Sequence, residues 1–489
     1  MDKQIRVRYA PSPTGHIHIG NARSALFNYL FARHNNGVLI MRLDDTDRKR
    51  STDEAIKTML NDIQWLGIDW DEGYLKGGDY GPYRQTERMD LYNHYIDILL
   101  SNEKAYELYY TEEEIHYLRD SYEKEGKKFS YRDLKEKETE QLRTGFNNKN
   151  LKPAIVFKVE KDKEIIVNDL VRGNVTFNSN EFKDFVIRRE NGIPVYNYAT
   201  VIDDALMKIT HIIRAEEHLS NTPKQLFIFN ALNFPPPQFA HISLILAPDR
   251  TKLSKRHGAT SVGQYREMGF LPEALFNYLA LLGWSSKDDR EFFTKEELIK
   301  LFTLESVNKA PAIFDIDKLK WMNHHYISKV DDERLCRLAL PFMIEEKWIK
   351  ADSSCSEKLL NIVNAVKGNM ETISDITKVA APFFEEIDLV KTEENQRILE
   401  QEENKIVFSY LIEKLQDIEF TEREMDKFIN SLKSVLNLSG KKIYHPMRVA
   451  LIGSKNGPEL TKIILILGKK RVIDRFNKVL NKNFTGTNL

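Results

Sequence analysis

The sequence predicts an α/β domain interrupted by an insertion and followed by an all-helical C-terminal region. Three observations carry this: a strand–helix–strand pattern over residues 5–43, a return to the same style at Tyr196–Arg214 and His241–Leu246 after a β-rich stretch, and helical spacing of apolar residues beyond residue 330. Ile5–Tyr9 is a short β-rich run broken by Pro11, Pro13 and Gly15. A helical pattern then runs through Leu26, Leu30 and Phe31, with Gly37 expected to stop it. Val38–Leu43 reads as a second strand, joined by a crossover long enough for parallel pairing and ending in Asp44-Asp45-Thr46-Asp47. Asp53–Leu66 reads as a helix and Gly73–Tyr83 as a loop. Residues 100–150 are charged and helical in pattern. Ile155–Val159, Ile165–Val167, Val175–Phe177 and Phe185–Ile187 read as short strands. Leu359, Ile362, Val363 and Val366 typify the helical spacing that follows, and Asn481–Leu489 reads as a frayed tail.

Composition bounds the function. At about one domain per 100–200 residues, 489 residues imply about two to four domains. A hydrophobic fraction of 42% suffices for several cores and excludes a disordered or collagen-like chain. Lys plus Arg number 72 and Asp plus Glu 73, which weighs against a protein that coats nucleic acid non-specifically. No apolar run is long enough to span a membrane, and the N-terminus lacks the apolar stretch of a signal peptide. Cys336 and Cys355 are too few for a disulfide scaffold or a four-sulfur metal site. The expectation is a soluble protein of a reducing, cytoplasmic compartment.

Two segments carry chemistry. Ala10-Pro-Ser-Pro-Thr-Gly-His-Ile-His-Ile-Gly-Asn21 lies between a strand and a helix, where backbone N–H groups and the helix dipole favour a phosphate. Ser12, Thr14, Gly15 and Gly20 are small enough to admit a nucleotide, and His16 and His18 can donate to phosphate oxygens. The second segment, Asp249-Arg-Thr-Lys-Leu-Ser-Lys-Arg-His-Gly258, either is a solvated basic loop or delivers Lys252 and Lys255 to a triphosphate.

Taken together, the two segments resemble the signature pair of class I aminoacyl-tRNA synthetases. Within that class the chain resembles the glutamyl-tRNA synthetase family, through Arg8-Tyr-Ala-Pro-Ser-Pro-Thr-Gly15, Arg42-Leu-Asp-Asp-Thr-Asp47, Gly81-Pro-Tyr-Arg-Gln-Thr-Glu-Arg88, Asp203-Asp204, Arg214-Ala-Glu-Glu-His-Leu-Ser-Asn-Thr-Pro-Lys-Gln225 and Phe270–Trp284. The resemblance implies an α/β, Rossmann-type class I catalytic domain split by an α/β insertion, then an all-α C-terminal anticodon-binding module. It places the first catalytic half at 1–88, an inserted tRNA acceptor-binding domain at 89–195 and the second half at 196–247. A stem-contact region with the lysine loop would follow at 248–330, and a helical anticodon-binding region at 331–489.

The reaction implied is glutamate activation by ATP to glutamyl-adenylate and transfer to tRNA(Glu), with tRNA(Gln) a second candidate. By position Lys255, His18 and Lys252 match catalytic residues. Ser12, His16, His18, Gly20, Asn21, Glu217, Leu246 and Lys255 match the ATP site; Asn21 stands where the signature usually ends in histidine. Arg8, Ser12, Asp44, Tyr196 and Arg214 match the glutamate site. Two-pronged pairing of a guanidinium with a carboxylate suits that substrate and disfavours an amide. The substrate carboxylate is itself the nucleophile, so positioning and charge stabilisation are the protein's task. ATP would arrive with Mg²⁺ as a substrate complex.

Three departures bear on the reading. Asp44 stands where the family has glutamate, which withdraws the carboxylate by about 1.5 Å. Ala205 stands where many relatives have histidine after the paired aspartates. Leu108 and Tyr110 occupy positions where zinc-binding members carry thiolates, so no protein-bound zinc is expected. Asn369, in the segment where discriminating members place an arginine, implies relaxed choice between tRNA(Glu) and tRNA(Gln). The expected state is a monomer. Two other classes share these signatures: an adenylyltransferase that activates a small acid without RNA, and a non-catalytic paralogue that binds RNA or protein.

Overall fold

A computed structural model describes residues 4–47 and 51–481, with the Lys255 side chain outside the described set. The expected frayed tail therefore lies outside it after Asn481. The chain forms two compact units, Met1–Tyr265 with Leu275–Asp315, and Arg266–Ala274 with Ile316–Leu489.

In the first unit, β1 (Arg6–Tyr9) is buried along its whole length and pairs in parallel with β2 (Val38–Met41), Val7 opposite Leu39 and Arg8 opposite Ile40. The connecting α1 (Ile19–His34) buries Ala22, Leu26, Phe27, Leu30 and Phe31 and also Arg23 and Asn28, so it is packed on several sides. Arg33 and His34 in its last turn offset the negative end of the helix dipole.

The stop after α1 differs from expectation. Asn36, not Gly37, takes the left-handed conformation, with φ of 50°. Gly37 is needed for another reason: a Cβ there would lie 2.6 Å from the Ile5 carbonyl oxygen as the chain turns back beside β1. The helix α2 (Asp53–Trp65) is capped by Thr52, and β3 (Glu72–Gly73) adds a third parallel strand beside β2 within the stretch expected as loop.

Next come α3 (Met89–Ser101), β4 (Ala105–Leu108), α4 (Glu112–Lys124), α5 (Tyr131–Glu136), α6 (Glu140–Asn148), β5 (Ala154–Phe157), β6 (Glu164–Asp169), β7 (Gly173–Asn178) and β8 (Phe185–Arg188). They are followed by α7 (Tyr196–Leu206), β9 (His211–Ala215), α8 (Thr222–Ala231), β10 (Gln238–Ile242) and β11 (Ile245–Leu246).

The stretch 89–195, expected as one inserted body, divides between two sheets. Strands β4, β5 and β8 form one antiparallel sheet, whereas β6 and β7 form a hairpin that joins β10 and β9 in the order β7-β6-β10-β9. The physical reason is lateral pairing that no local pattern reveals: Asp169 at the end of β6 sits opposite Phe239 of β10. The Thr210 backbone N–H, just before β9, donates to the Arg6 carbonyl and the Arg6 N–H donates to the Thr210 hydroxyl, which sets β9 beside β1. The carboxyl ends of parallel strands from both halves thus share one edge, the place where α/β sheets bind ligands. The unit closes with α9 (Val262–Glu267), α10 (Pro272–Leu281), α11 (Lys295–Leu301) and β12 (Ala312–Ile313), which pairs with β11; α9 and α10 each run across a boundary between the units.

The second unit is helical from Ile316: α12 (Ile316–Lys329), α13 (Asp332–Glu345), α14 (Glu357–Val366), α15 (Ile376–Val379), α16 (Ala381–Phe384), α17 (Glu393–Leu399), α18 (Glu403–Asp417), α19 (Glu422–Leu436), α20 (Gly440–Ile452) and α21 (Leu460–Leu480). Leu359, Ile362, Val363 and Val366, the residues read as an apolar helical face, all enter one core with Phe408, Met447 and Phe476. Cys336 of α13 and Cys355 are joined by a disulfide.

The basic stretch 469–478 is not merely a solvated helix face. Arg475 is buried and donates to the carbonyls of Leu451, Pro382 and Glu385, and Arg471 to those of Phe383 and Glu385, so two guanidiniums satisfy the carbonyl ends of α16 and α20. Arg475→Met should orphan the Leu451 and Pro382 carbonyls, Glu385 keeping Arg471, at a cost of about 1–3 kcal/mol each. We expect urea unfolding of the full chain to show an earlier transition for the helical unit alone.

Candidate active site

The signature loop is built around two histidines with different partners. His18 caps α1: its Nδ1 accepts the Gly20 N–H at 3.1 Å, which leaves Nδ1 unprotonated. Burial, then the neighbouring Lys252, hold the ring below its ordinary pKa, against the pull of the Leu253 backbone and Glu217. His18 is therefore neutral, and its backbone bridges to Ser261 just beyond the basic loop. His16 instead bonds the buried Asp62 of α2 at 2.9 Å and packs on Gly263, where a Cβ would lie 2.2 Å from the ring.

The expected backbone cradle at the start of α1 is already filled. Ile19 N–H goes to the Thr260 carbonyl, Gly20 N–H to the His18 ring, and Asn21 and Ala22 N–H to the His18 carbonyl. Side chains and the helix dipole, rather than these N–H groups, are left to meet an anion. Ser12 and Asn21 are exposed at the rim.

The basic loop reaches the same place. Lys252 forms an ion pair with Glu217 at 2.7 Å, and its backbone bridges to Leu246. That bond to Lys252 holds Glu217 below the usual carboxylate range. His18, Glu217, Leu246 and Lys252, from three separate stretches of the sequence, are thereby assembled. Lys255 opens a short helical turn, Lys255–His257; its side chain lies outside the described set.

Deeper in, the paired aspartates anchor an ionic network. Asp203 accepts from Arg88 Nε at 2.6 Å, Gln85 Nε2 at 2.9 Å and the Tyr92 hydroxyl. Asp204 accepts from Arg42 Nη1 at 2.7 Å and Arg8 Nε at 3.2 Å. Burial alone would push Asp204 up, but Arg8 and Arg42 more than offset it and hold the carboxyl below its ordinary range. Asp44 accepts from Arg42 Nε at 2.8 Å. There burial outweighs the single arginine, with Asp203 and Asp204 adding repulsion, and the carboxyl is pushed up to about 6.

The second arginine has another kind of support. Arg214 on β9 is 5% exposed. Its Nε donates to His241 Nε2 at 3.1 Å and its Nη2 to the Thr222 hydroxyl and the Gln225 carbonyl oxygen. Its Nη1 is buried without a hydrogen-bond partner. Burial lowers its pKa, with Tyr196 acting to raise it and Arg8 to lower it further. His218, beside the Tyr196 ring at 5.6 Å, is pulled down to about 4 by burial and Arg214, with smaller influences from Glu217 and Arg8. This one ring lies within electrostatic reach of both the arginine cluster and Glu217.

The structure thus brings Arg8, Arg214 and Tyr196 near one another, Asp44 to the edge of the network, and His18, Glu217, Leu246 and Lys252 together. Asn369 lies in the other unit, exposed in the turn after α14. The sequence alone gives no role to Arg42, Asp169, Thr222, Gln225 or His241; of these Arg42, Thr222 and Gln225 fall inside the motifs noted above. Among the described residues no group of three or more His, Cys, Asp or Glu is placed to hold a metal ion.

A split parallel-sheet domain with this pair of signature segments defines a class I aminoacyl-tRNA synthetase. Residues 4–321 match the family model of class I tRNA synthetases (E and Q), catalytic domain, and residues 334–480 match an anticodon binding domain. The chain is 47% identical over 480 residues to the glutamate–tRNA ligase of Carboxydothermus hydrogenoformans, covering 97% of this chain and 100% of that one. It is 46% identical to glutamate–tRNA ligase 1 of Caldicellulosiruptor saccharolyticus, covering 96% and 98%. A glutamate tRNA ligase from Elizabethkingia meningosepticum, solved in complex with its amino acid, superposes with a TM-score of 0.87 at 33% identity, covering 98% and 99%. The chain belongs to the glutamyl-tRNA synthetase family.

Asp44 yields a pH test. Its folded pKa of about 6 stands above its ordinary 3.8, so between those values the native state holds a proton that the unfolded chain has released. Its contribution to stability therefore grows as pH falls through 6. Comparing wild type with Asp44→Asn by urea unfolding at pH 8 and pH 5 should show that increment in wild type only.

Proposed function

We propose that this chain joins L-glutamate to tRNA(Glu) in two steps: ATP and glutamate give glutamyl-adenylate and diphosphate, then the glutamyl group passes to the 3′ end of the tRNA. The observation that carries the amino-acid assignment is the buried Nη1 of Arg214, which makes no protein hydrogen bond in its guanidinium's setting beside Tyr196 and a second arginine. A carboxylate satisfies such a donor; an amide presenting its NH₂ does not. The side-chain carboxylate of glutamate is met by Arg8, Arg214 and Tyr196, and its ammonium by Asp44, the most exposed of the three network carboxylates. Glutamate's α-carboxylate then attacks the α-phosphate of ATP.

On the nucleotide side, Glu217, Leu246 and the α1 start at Gly20 and Asn21 hold the nucleoside, with Ser12 and His16 bordering the site. Neutral His18 donates to phosphate, and Lys252 and Lys255 stabilise the charge that develops on the triphosphate. Mg²⁺ enters with ATP, and no protein-bound zinc takes part. The segment 89–195 carries the acceptor end, 248–330 the stem and 331–489 the anticodon, consistent with the anticodon-binding match at 334–480. The enzyme acts as a cytoplasmic monomer, and Asn369 relaxes the choice between tRNA(Glu) and tRNA(Gln).

Glutamate-dependent ATP–diphosphate exchange, run without RNA, with tRNA(Glu) and with tRNA(Gln), tests this reading. Exchange with glutamate and both tRNAs is expected; exchange with tRNA(Glu) alone removes the role given to Asn369. Lys255→Ala should slow exchange by about 10²–10³-fold, the scale of losing one charge-stabilising donor. Its tRNA affinity should stay near wild type, and an unchanged rate would remove Lys255 from the mechanism.

A further inference from the structure

Arg8 and Arg214 are held by opposite means. Arg8 leans on an anion, Asp204, whereas Arg214 leans on neutral acceptors: the His241 ring, Thr222 and Gln225. Behind His241 stands Asp169, whose Oδ2 lies 2.6 Å from His241 Nδ1. The three residues sit on three adjacent strands of one sheet, Asp169 on β6, His241 on β10 and Arg214 on β9, with His241 and Arg214 directly paired in register. Asp169 and His241 are themselves buried.

The proton positions follow from chemistry. A guanidinium has only donors, so His241 Nε2 must present its lone pair to Arg214 Nε. The ring proton is then on Nδ1 and points to Asp169. Asp169 is fixed in turn by the backbone N–H groups of Val171, Arg172 and His241. Three of the five guanidinium N–H donors are aimed at protein acceptors, and the Nη1 edge is left over.

We propose that Asp169 and His241 are positioning residues which, through a fixed imidazole tautomer, lock the Arg214 guanidinium with Nη1 as the donor reserved for the substrate's side-chain carboxylate. This rests on the assignment of Arg214 to glutamate made above. The lock sets affinity for glutamate and its preference over glutamine without touching either. Burial keeps His241 below its ordinary pKa, with Arg214 opposing protonation and Asp169 favouring it, so the ring stays neutral as the lock requires.

The test uses the full-length enzyme with tRNA(Glu) and reads KM for glutamate, KM for ATP and kcat in diphosphate exchange. In His241→Ala the Arg214 Nε loses its acceptor; KM for glutamate should rise about 10–100-fold, the scale of a hydrogen bond to a charged group. KM for ATP should hold, and kcat should change by less than about threefold. His241→Gln supplies an oxygen at similar reach and should recover most of the loss. Asp169→Asn turns an NH₂ toward Nδ1, forces the proton to Nε2 and so confronts Arg214 with a donor; it should raise KM for glutamate like His241→Ala while leaving the ring in place. Arg214→Leu is the control on the underlying assignment. If it leaves KM for glutamate unchanged, the assignment fails and the lock with it. If it raises KM while Asp169→Asn and His241→Ala do not, the lock alone is overturned. Failure of His241→Gln to recover more than His241→Ala also overturns it, because packing rather than the acceptor would then be at work. Should His241→Ala not fold, Asp169→Asn and His241→Gln decide the matter.

Discussion

Asp203 and Asp204, consecutive carboxylates at the carboxyl end of α7, are 0% and 1% exposed, and much of the catalytic half is arranged around them. Adjacent like charges repel, burial disfavours each, and the carboxyl end of a helix is already negative. Such a pair persists only if cations reach it from several directions, and three do: Arg88 from the start of α3, Arg42 from the end of β2 and Arg8 from β1. Removing one partner from a buried pair typically costs about 3–5 kcal/mol. The two aspartates therefore act as a post to which the first strand, the second strand and the loop before α3 are tied, and α7 belongs to the part of the chain that follows the intervening sheet. Stretches of chain separated by more than a hundred residues are registered to each other by this contact.

The same network explains why the site needs two arginines and why they are not equivalent. Asp204 partly cancels Arg8, so Arg8 offers directed N–H groups more than net charge. Arg214 has only neutral acceptors along Nε and Nη2, so most of its charge is left for whatever meets Nη1. On the proposed assignment, a carboxylate would meet one guanidinium whose position is fixed by an anion and one whose charge is unspent. Loss of an amide's fit costs twice, once in hydrogen-bond direction and once in uncompensated charge.

Local signals in the sequence were enough for the βαβ opening, the short strands of 153–195, the helical tail and both signature segments. What they could not supply is lateral. The hairpin of β6 and β7 reads as part of the inserted stretch, yet pairs with a strand some seventy residues on, because strand neighbours are set by three-dimensional register. The Asp169–His241–Arg214 row is invisible for the same reason: each residue is ordinary in its own strand. Gly37 was marked correctly as special but for the wrong constraint, since a close backbone approach and a helix stop select the same residue. The filled N–H groups at the start of α1 were hidden because their partners, Thr260 and the His18 ring, come from a distant loop and from the cap itself.

Those filled donors change how a triphosphate is met. In many nucleotide sites the backbone grips phosphate directly; in the site proposed here the grip would fall to side chains on a loop. Lys252 is bonded to Glu217, but both are substantially exposed, and such pairs contribute only about 0–1 kcal/mol. A phosphate bearing more charge than a carboxylate can take the ammonium at little cost, and Glu217 is then free to accept from a nucleoside hydroxyl or amine. The Leu246–Lys252 backbone bridge keeps the lysine at the mouth of the site throughout. Under the proposed roles, anchoring the loop by its backbone while leaving its charges weakly paired would let the cations follow the negative charge from ATP to the departing diphosphate, while the deeply buried arginines would hold the amino acid still.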